Sequence, residues 1–464
     1  MVIYIHIPFC VKKCDYCDFL SAPVDEHTRQ NYVKCIIKEL MHYGEIYGGN
    51  GRNIPVTSVF FGGGTPSLLD ELQITSIMKA VNDNYNIVEE AEITMECNPG
   101  TLTESKLSGY KKAGINRLSI GLQSANDEEL RNIGRIHTFA QFMDSYNMAR
   151  KCGFDNINID LMSALPGQTI SSYKDTIEKV LAVKPEHISA YSLILEEGTP
   201  LFERIEKLED EKRPTGLPDE DTEREMYYMT ERLLKDAGYS RYEISNYALS
   251  GYECKHNTAY WVRDNYLGVG IGAASCMDNV RTKNITDIQE YMDIYGDNEK
   301  YHNQNLNTKS ADKDVETGKG EEAVESINKS VVECVIDNSI ESAIDREETV
   351  TLTREDMMAE FMFLGLRMMK GISKKQFEQE FGVAYNDIYG EVTDKLIKEG
   401  LIKEEIVEEE IIEEIIEEEI IEGCLIKEDS IKGNFKDNYI DKDRICLTSL
   451  GIDVSNMVLS QFIF

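Results

Sequence analysis

The sequence predicts an α/β fold built as an incomplete, TIM-like (β/α)6 barrel, followed by a smaller and mainly helical C-terminal domain. Three observations predict it. Six short β-rich apolar runs recur at even spacing over the first two hundred residues, at 2–7, 56–61, 92–96, 117–122, 156–161 and 187–193. Helical patterns lie between them, at 29–47, 72–85, 139–152 and 171–183, which is the signature of parallel strands joined by crossovers. Residues with chemical potential cluster just after the strand runs, where the loops of a barrel build its functional face.

The rest of the chain divides by composition. A helix is predicted over 219–237, then a strand-like run at 242–247 and a glycine-rich turn at 268–272. Residues 303–347 are polar and acidic with few aromatics, and read as a mobile insertion. Helices are expected at 357–369, 377–381 and 388–399, and a strand-to-helix turn at 447–451. Residues 404–422 hold eleven glutamates and eight isoleucines or valines with no amphipathic face, which reads as a low-complexity insertion. The resulting division is 1–238 for the barrel, 239–302 for an extension, 303–347 for the polar insertion and 348–464 for the C-terminal domain, itself interrupted over 403–443.

Composition narrows the function. The 464 residues carry 84 acidic against 49 basic side chains, a formal charge of −35. Sequence-independent nucleic-acid binding needs a basic footprint, and an anionic membrane surface is an equally poor partner for this balance. No apolar run is long enough to span a bilayer, and residues 1–6 lack a signal peptide's basic region and cleavage site. A cytoplasmic protein is the expectation. Eleven cysteines are too few for a disulfide scaffold of this length, so clustered ones read as metal ligands.

Cys10, Cys14 and Cys17 form C-x3-C-x2-C on one loop after the first strand. Three thiolates can hold three irons of a [4Fe–4S] cluster and leave the fourth open, able to chelate the amino and carboxylate groups of S-adenosylmethionine (SAM). Zinc is the competing reading, but it prefers four ligands and no second C-x2-C pair is present.

The run Tyr4-Ile5-His6-Ile7-Pro8-Phe9-Cys10 with Cys14-Asp15-Tyr16-Cys17 resembles the signature of the radical SAM family, and within it the branch of oxygen-independent coproporphyrinogen III oxidase (HemN) and the heme chaperones (HemW). The resemblance covers most of residues 1–300 and, more weakly, the C-terminal domain, for which it implies a winged-helix-like module. It implies that Tyr4, Gly63, Gly64, Thr65, Glu96, Gln123, Arg135 and Asp160 contact SAM, that Tyr16 stacks near it, and that Ser192 and Ala274 match further contact positions. The residue types suit those roles: bare glycine backbone approaches a ligand closely, carboxylates accept ribose hydroxyls or the ammonium, and Arg135 pairs with a carboxylate. Taken singly, each has an ordinary reading as a hydrogen bond or helix cap. His6 could bond a propionate, tune the cluster, or simply be buried.

Two features separate the branches. The oxidases of the family carry a fourth cysteine two positions after the third, where this chain has Phe19. His256-Asn257-Thr258-Ala259-Tyr260-Trp261 matches H-N-x-x-Y-W, linked in the chaperones with heme. His256 is then a candidate axial ligand, with Tyr260 and Trp261 against the macrocycle; the ordinary reading is a turn histidine beside two core aromatics. The methionine-rich 357–369 helix reads as core rather than as a lid on heme.

The implied function is a heme chaperone that binds heme, a [4Fe–4S] cluster and SAM and passes heme to apo-hemoproteins such as respiratory cytochromes, supplied by a heme or electron donor protein, with a homodimer left open. The alternative is a coproporphyrinogen III dehydrogenase that makes protoporphyrinogen IX by radical decarboxylation.

Overall fold

A computed structural model describes residues 1–49, 51–296, 346–405 and 444–464. The chain forms two compact units. The first holds residues 1–240, 245–259 and 264–351, and the second holds 241–244, 260–263 and 352–464.

The first unit is built on β1 (Val2–Ile7), β2 (Pro55–Gly63), β3 (Asn86–Cys97), β4 (Arg117–Gln123), β5 (Ile157–Ser163) and β6 (His187–Ser192). They lie side by side in sequence order and every neighbouring pair is parallel. That is the incomplete (β/α)6 barrel the sequence predicts. The crossovers are α1 (Glu26–Tyr47), α2 (Glu71–Asn84), α3 (Glu104–Lys112), α4 (Asp127–Asn132), α5 (Phe139–Lys151) and α6 (Ile170–Val183). After β6 come α7 (Pro200–Asp210) and α8 (Glu220–Asp236).

Helix starts follow their caps. The Asp25 carboxylate accepts the Thr28 amide at 2.7 Å, so α1 begins three residues before the apolar periodicity does. Asp70 with Gln73 and Thr138 with Gln141 form reciprocal capping boxes that open α2 and α5.

Alternation along the strands sorts side chains into two sets. Ile3, Ile5, Val59, Phe61, Ile93, Met95, Leu118, Ile120, Ile157, Ile159 and Ile188 pack into the main apolar core. The opposite parity is polar: Ser58, Glu92, Thr94, Ser119, Asn158, His187 and Ser189 are all buried, and Arg117 is 2% exposed. A barrel whose inward face is polar must satisfy those groups among themselves or by ligands.

Beyond the predicted strands the sheet continues on both sides. β9 (Tyr266–Val269) pairs parallel with β1, Val2 opposite Tyr266, followed by antiparallel β10 (Ala274–Met277), β11 (Val280–Asn284) and β12 (Arg346–Thr351). On the far side β8 (Asn246–Ala248) runs antiparallel to β6, with β7 (Ser240–Arg241) outermost. Of the strand expected at 242–247 only Asn246 and Tyr247 lie in a strand, β8; ahead of them the Arg241 Nε donates to the Ile244 carbonyl at 3.0 Å and closes a turn. Two helices complete the unit: α9 (Lys255–Trp261), whose last two residues belong to the second unit, and α10 (Ile288–Tyr295).

The second unit packs helices Arg354–Gly365, Lys374–Phe381 and Tyr385–Lys398 with a three-stranded antiparallel sheet ordered β13 (Ile372–Ser373), β15 (Arg444–Leu447), β14 (Ile402–Glu405). Three helices with a small sheet are the winged-helix-like arrangement. Phe361, Phe377, Phe381, Tyr385 and Tyr389 form its aromatic centre, and Met358 and Met362 are buried among them, so the methionines are core. The 357–369 helix ends early, with Leu366 as its C-cap. Most of the polar insertion, residues 303–345, lies outside the described residues, and Arg346 and Glu347 begin β12. Of the acidic tract, Glu404 and Glu405 belong to β14, where they pair with Ile445 and Arg444; residues 406–443 lie outside the described residues. Among the described residues no helix is long and apolar enough to cross a membrane.

Candidate functional site

The C-terminal ends of the parallel strands open on one cleft. Its walls hold Cys10, Cys14, Tyr16 and Cys17 from the loop after β1, Gly63, Gly64 and Thr65 after β2, Glu96 and Asn98 at β3, Gln123 at β4, Arg135, and Asp160 on β5. Residues scattered over 150 positions thus meet because each parallel crossover returns the chain to the same edge.

The cysteine loop is held in place by backbone. Cys10 N donates to Ala22 O at 3.2 Å, Cys17 N to Cys14 O at 3.2 Å and Asp15 N to Ile133 O at 3.1 Å. All three thiols are partly exposed and unpaired. Cys10 Sγ lies 3.5 Å from Thr65 Oγ1, and Arg135 Nη1 donates to Cys14 Sγ at 3.6 Å. Burial pushes the Cys17 thiol up to about 11. Among the described residues no three His, Cys, Asp or Glu side chains converge on a single-ion site. A cubane cluster places each thiolate on its own iron and needs no common point.

The glycine loop must be glycine. Gly63 has φ +107°, and a Cβ there would lie 2.5 Å from the His6 ring; a Cβ on Gly64 would lie 2.7 Å from the Phe9 carbonyl oxygen. His6 fills that space because its Nε2 is 2.9 Å from Leu20 O and its Nδ1 3.1 Å from the Tyr4 hydroxyl. His6 is thus a buried strut between β1 and the cysteine loop. Tyr4 is on the barrel's inward face with it, stacked near Phe60.

Two carboxylates and one guanidinium set the electrostatics. Glu96 accepts the Gly63 amide at 3.1 Å. Burial, then the neighbouring Asp160 charge, raises Glu96 to about 8. Burial also raises Asp160, against hydrogen bonds from Asn158 and Ser119 and the Arg117 charge. Arg135 reaches Asn98 Oδ1 at 3.0 Å and the Gly121 carbonyl, while its buried Nε has no hydrogen-bond partner among the described residues. Asn98 in turn donates to Thr65 Oγ1 at 2.7 Å. An orphaned buried cationic donor, bare glycine backbone and two half-buried carboxylates beside three partly exposed thiols fit a zwitterionic, cationic ligand next to a thiolate-held cluster.

The structure gathers Cys10, Cys14, Tyr16, Cys17, Gly63, Gly64, Thr65, Glu96, Gln123, Arg135 and Asp160 around this cleft, whereas Tyr4 does not line it and bonds to His6 instead. Ser192 is at the end of β6, bonded to Ser163 at 3.2 Å and to Glu223, and does not line the cleft. Ala274 opens β10 and is exposed, away from the cleft lining. Sequence reasoning missed Asn98 and Ser119 as cleft residues; Asn98 follows the end of β3, and Ser119 is separated from Gln123 by a register shift in β4, so strand parity gives no signal for either.

The H-N-x-x-Y-W segment is elsewhere. His256 is 2% exposed inside the barrel, with Nδ1 3.1 Å from Ser58 Oγ and its ring stacked on Phe60 at 4.8 Å. Burial, then Arg117, lowers it to about 3, so the ring is neutral. The start of α9 is pinned by Glu92, which accepts from Lys255 N at 3.1 Å, His256 N at 3.3 Å and Cys254 Sγ at 3.3 Å. Cys254 is a buried thiol, pushed up to about 12 by burial. Tyr260 and Trp261 fall in the second unit, where the Arg367 guanidinium covers the Trp261 ring at 4.3 Å.

Comparisons with known proteins agree with this architecture. The Radical SAM superfamily profile matches residues 4–180 and that of the HemN C-terminal domain residues 352–406. The solved structure of coproporphyrinogen III oxidase (HemN) from Escherichia coli matches over 99% of this chain and 89% of that one, with a TM-score of 0.70 at 20% identity, which shows the shared fold. "Heme chaperone HemW" of Lactococcus lactis is 30% identical over 99% of this chain and 96% of its own length. "Heme chaperone HemW" of Bacillus subtilis is 33% identical over 86% of this chain and 91% of its own. With a radical SAM barrel, the smaller HemN-type C-terminal domain and relatives matched almost end to end, the chain belongs to the HemW family of radical SAM proteins.

Proposed function

We propose that this chain is a cytoplasmic heme chaperone that holds a [4Fe–4S] cluster on Cys10, Cys14 and Cys17, binds SAM in the barrel mouth, and transfers heme to apo-hemoproteins such as respiratory cytochromes. The observation that carries the reading is the near end-to-end relation to two proteins named heme chaperone HemW. Phe19, 60% exposed at the cleft, supports it, standing where the family's oxidases have a cysteine.

When bound, the cluster and SAM supply one-electron chemistry at the sulfonium. The chain's part is to bind and orient. Three thiolates leave one iron position open. Glu96 and the 63–65 backbone receive the ammonium, and the free Nε of Arg135 receives the carboxylate. Tyr16, Gln123 and Asp160 would face the nucleoside, and Tyr4 would act on it only through His6, whose ring lies against Gly63. Ser192 and Ala274 are further contacts only if their loops turn inward. For His256 to ligate heme iron, α9 must leave Phe60 and Glu92.

The test is anaerobic purification and cluster reconstitution, then heme titration, heme transfer to an apo-cytochrome, and an assay of coproporphyrinogen decarboxylation. Heme binding and transfer without decarboxylation are expected. Robust turnover to protoporphyrinogen, with no heme transfer, overturns the reading in favour of the dehydrogenase. Heme affinity unchanged in His256→Ala removes that residue as the ligand.

A further inference from the structure

We propose that Asn158 is a positioning residue that aims the Asp160 carboxylate into the cleft, and that His187 fixes which way the Asn158 amide faces. The inference rests on the reading of Asp160 as a SAM contact.

The geometry crosses three adjacent strands. Ser119 on β4, Asn158 on β5 and His187 on β6 are register partners, and Asp160 is opposite Ser189 one step further along. Asn158, Ser119, Ser189 and His187 are all buried, His187 completely. His187 Nδ1 lies 2.6 Å from Asn158 Oδ1, a contact that requires the proton on Nδ1. Burial drives His187 well below its usual range, so the ring is a neutral, single-tautomer donor there. Ser189 Oγ donates to the same oxygen at 3.1 Å.

With its oxygen held by two donors, the Asn158 amide has one orientation. Its nitrogen turns to Asp160 Oδ1 at 2.7 Å and to Ser119 Oγ at 2.8 Å. The Ser119 hydroxyl is then free to donate to Asp160, 3.4 Å from each oxygen. A flipped amide would set an oxygen against the carboxylate. The network therefore holds Asp160 as a fixed acceptor and offsets part of the cost of burying its charge. Asp160 is also faced by Glu96 from β3, Arg117 from β4, Tyr16 from the cysteine loop and Arg135. Glu96 opposes its charge and the two arginines favour it. Asn158 is absent from the cleft lining, so it acts on a ligand through Asp160.

The test measures SAM affinity of the cluster-reconstituted full chain by equilibrium dialysis at pH 6 and pH 8.5, for wild type and Asn158→Asp. The substitution keeps the shape and replaces the donor with a second carboxyl. Binding about 100-fold weaker than wild type is expected at pH 8.5, shrinking to less than about 10-fold at pH 6, where two adjacent carboxyls share a proton. A purely structural role gives a loss that does not depend on pH. A loss of equal size at both values, or none, overturns the proposal. Should N158D not fold, His187→Leu decides: it removes the orienting donor and leaves Asn158, so about 3- to 10-fold weaker binding supports the proposal and wild-type affinity overturns it. Wild-type protein that carries a cluster but binds no SAM sinks the reading of the cleft itself, which is a different result from either.

Discussion

Glu96 and Gly63 are joined by a 3.1 Å hydrogen bond from the glycine amide to the carboxylate, so one side chain both faces the cleft and anchors the loop that shapes it. The bond ties the end of β3 to the end of β2 on the barrel's polar face, and its acceptor is raised to about 8 by burial and then by Asp160.

That coupling gives a pH dependence with a definite sign. Between the ordinary carboxyl value of 4.5 and about 8, the folded chain without SAM keeps a proton on Glu96 that the unfolded chain has released. Stability then falls as pH rises through this window, because the unfolded state binds fewer protons. Glu96→Gln is expected to flatten the profile and to be more stable above pH 8, by on the order of a few kcal/mol, while binding SAM more weakly. Urea unfolding of cluster-free protein from pH 5 to 9 checks the slope, and dialysis checks the ligand. A wild-type curve parallel to that of E96Q would rule out the assignment.

Arg135 serves the cleft through its fork. It reaches Asn98 at 3.0 Å, the Gly121 carbonyl, and Cys14 at 3.6 Å. Arg135→Lys keeps the charge and loses the planar donors, and SAM affinity should fall about 10-fold, with Arg135→Ala falling about 100-fold. Calorimetric titration of reconstituted protein measures both. Equal affinity in wild type and R135K would mean that charge alone suffices.

Gly64→Ala should damage the cluster loop directly. The new Cβ would lie 2.7 Å from Phe9 O, 2.9 Å from Phe9 N and 3.0 Å from Ile7 O, all backbone atoms. A loss of about 2–4 kcal/mol is expected, with a lower iron and sulfide content after reconstitution. Gly49→Ala, which meets nothing within 4 Å, is the control and should be neutral. Iron analysis together with denaturant unfolding separates the two.

Met362→Ala tests the assignment of the methionines to a core. Met362 is fully buried with Phe361, Phe377 and Tyr389 in the same cluster. Truncation should cost about 2–5 kcal/mol in the unfolding of the second unit. Iron content and SAM binding should be unchanged, since the cleft residues all lie in the first unit. A variant of normal stability with altered heme affinity would instead favour a lid.

The parts of the fold that were legible in the sequence are those with local causes. β1 through β6 are β-rich runs buried on both faces, and β1 was placed to the residue. The polar cap Asp25 precedes the apolar repeat of α1, so the repeat alone starts that helix three residues late, whereas α5 after Thr138 begins at Phe139 as the pattern predicts. α3, α4 and α7 went unread because they are short and rich in charge, defined by Thr103, Asn126 and Thr199 caps rather than by periodicity. β9 was invisible for another reason: four residues acquire meaning only by pairing with β1, more than two hundred and fifty positions away. In the site, Cys10, Cys14 and Cys17 and the glycine loop announce themselves by spacing. Asn158 and His187 do not, since a lone polar residue in a strand has no signature until register sets it beside Asp160. His256 shows the converse, where spacing suggests a ligand while burial against Phe60 and Ser58 is a tertiary fact.

The place of β9 beside β1 has a consequence for biogenesis. Until translation passes residue 269, β1 has β2 on one side and a bare row of amides and carbonyls on the other. Gly272, whose Cβ would lie 2.9 Å from Leu20, comes later still, so the Leu20 end of the cysteine loop lacks that neighbour in a shorter nascent chain. A product terminated before residue 266 would therefore keep one margin of β1 unpaired, a template for association with other chains and a target for proteolysis.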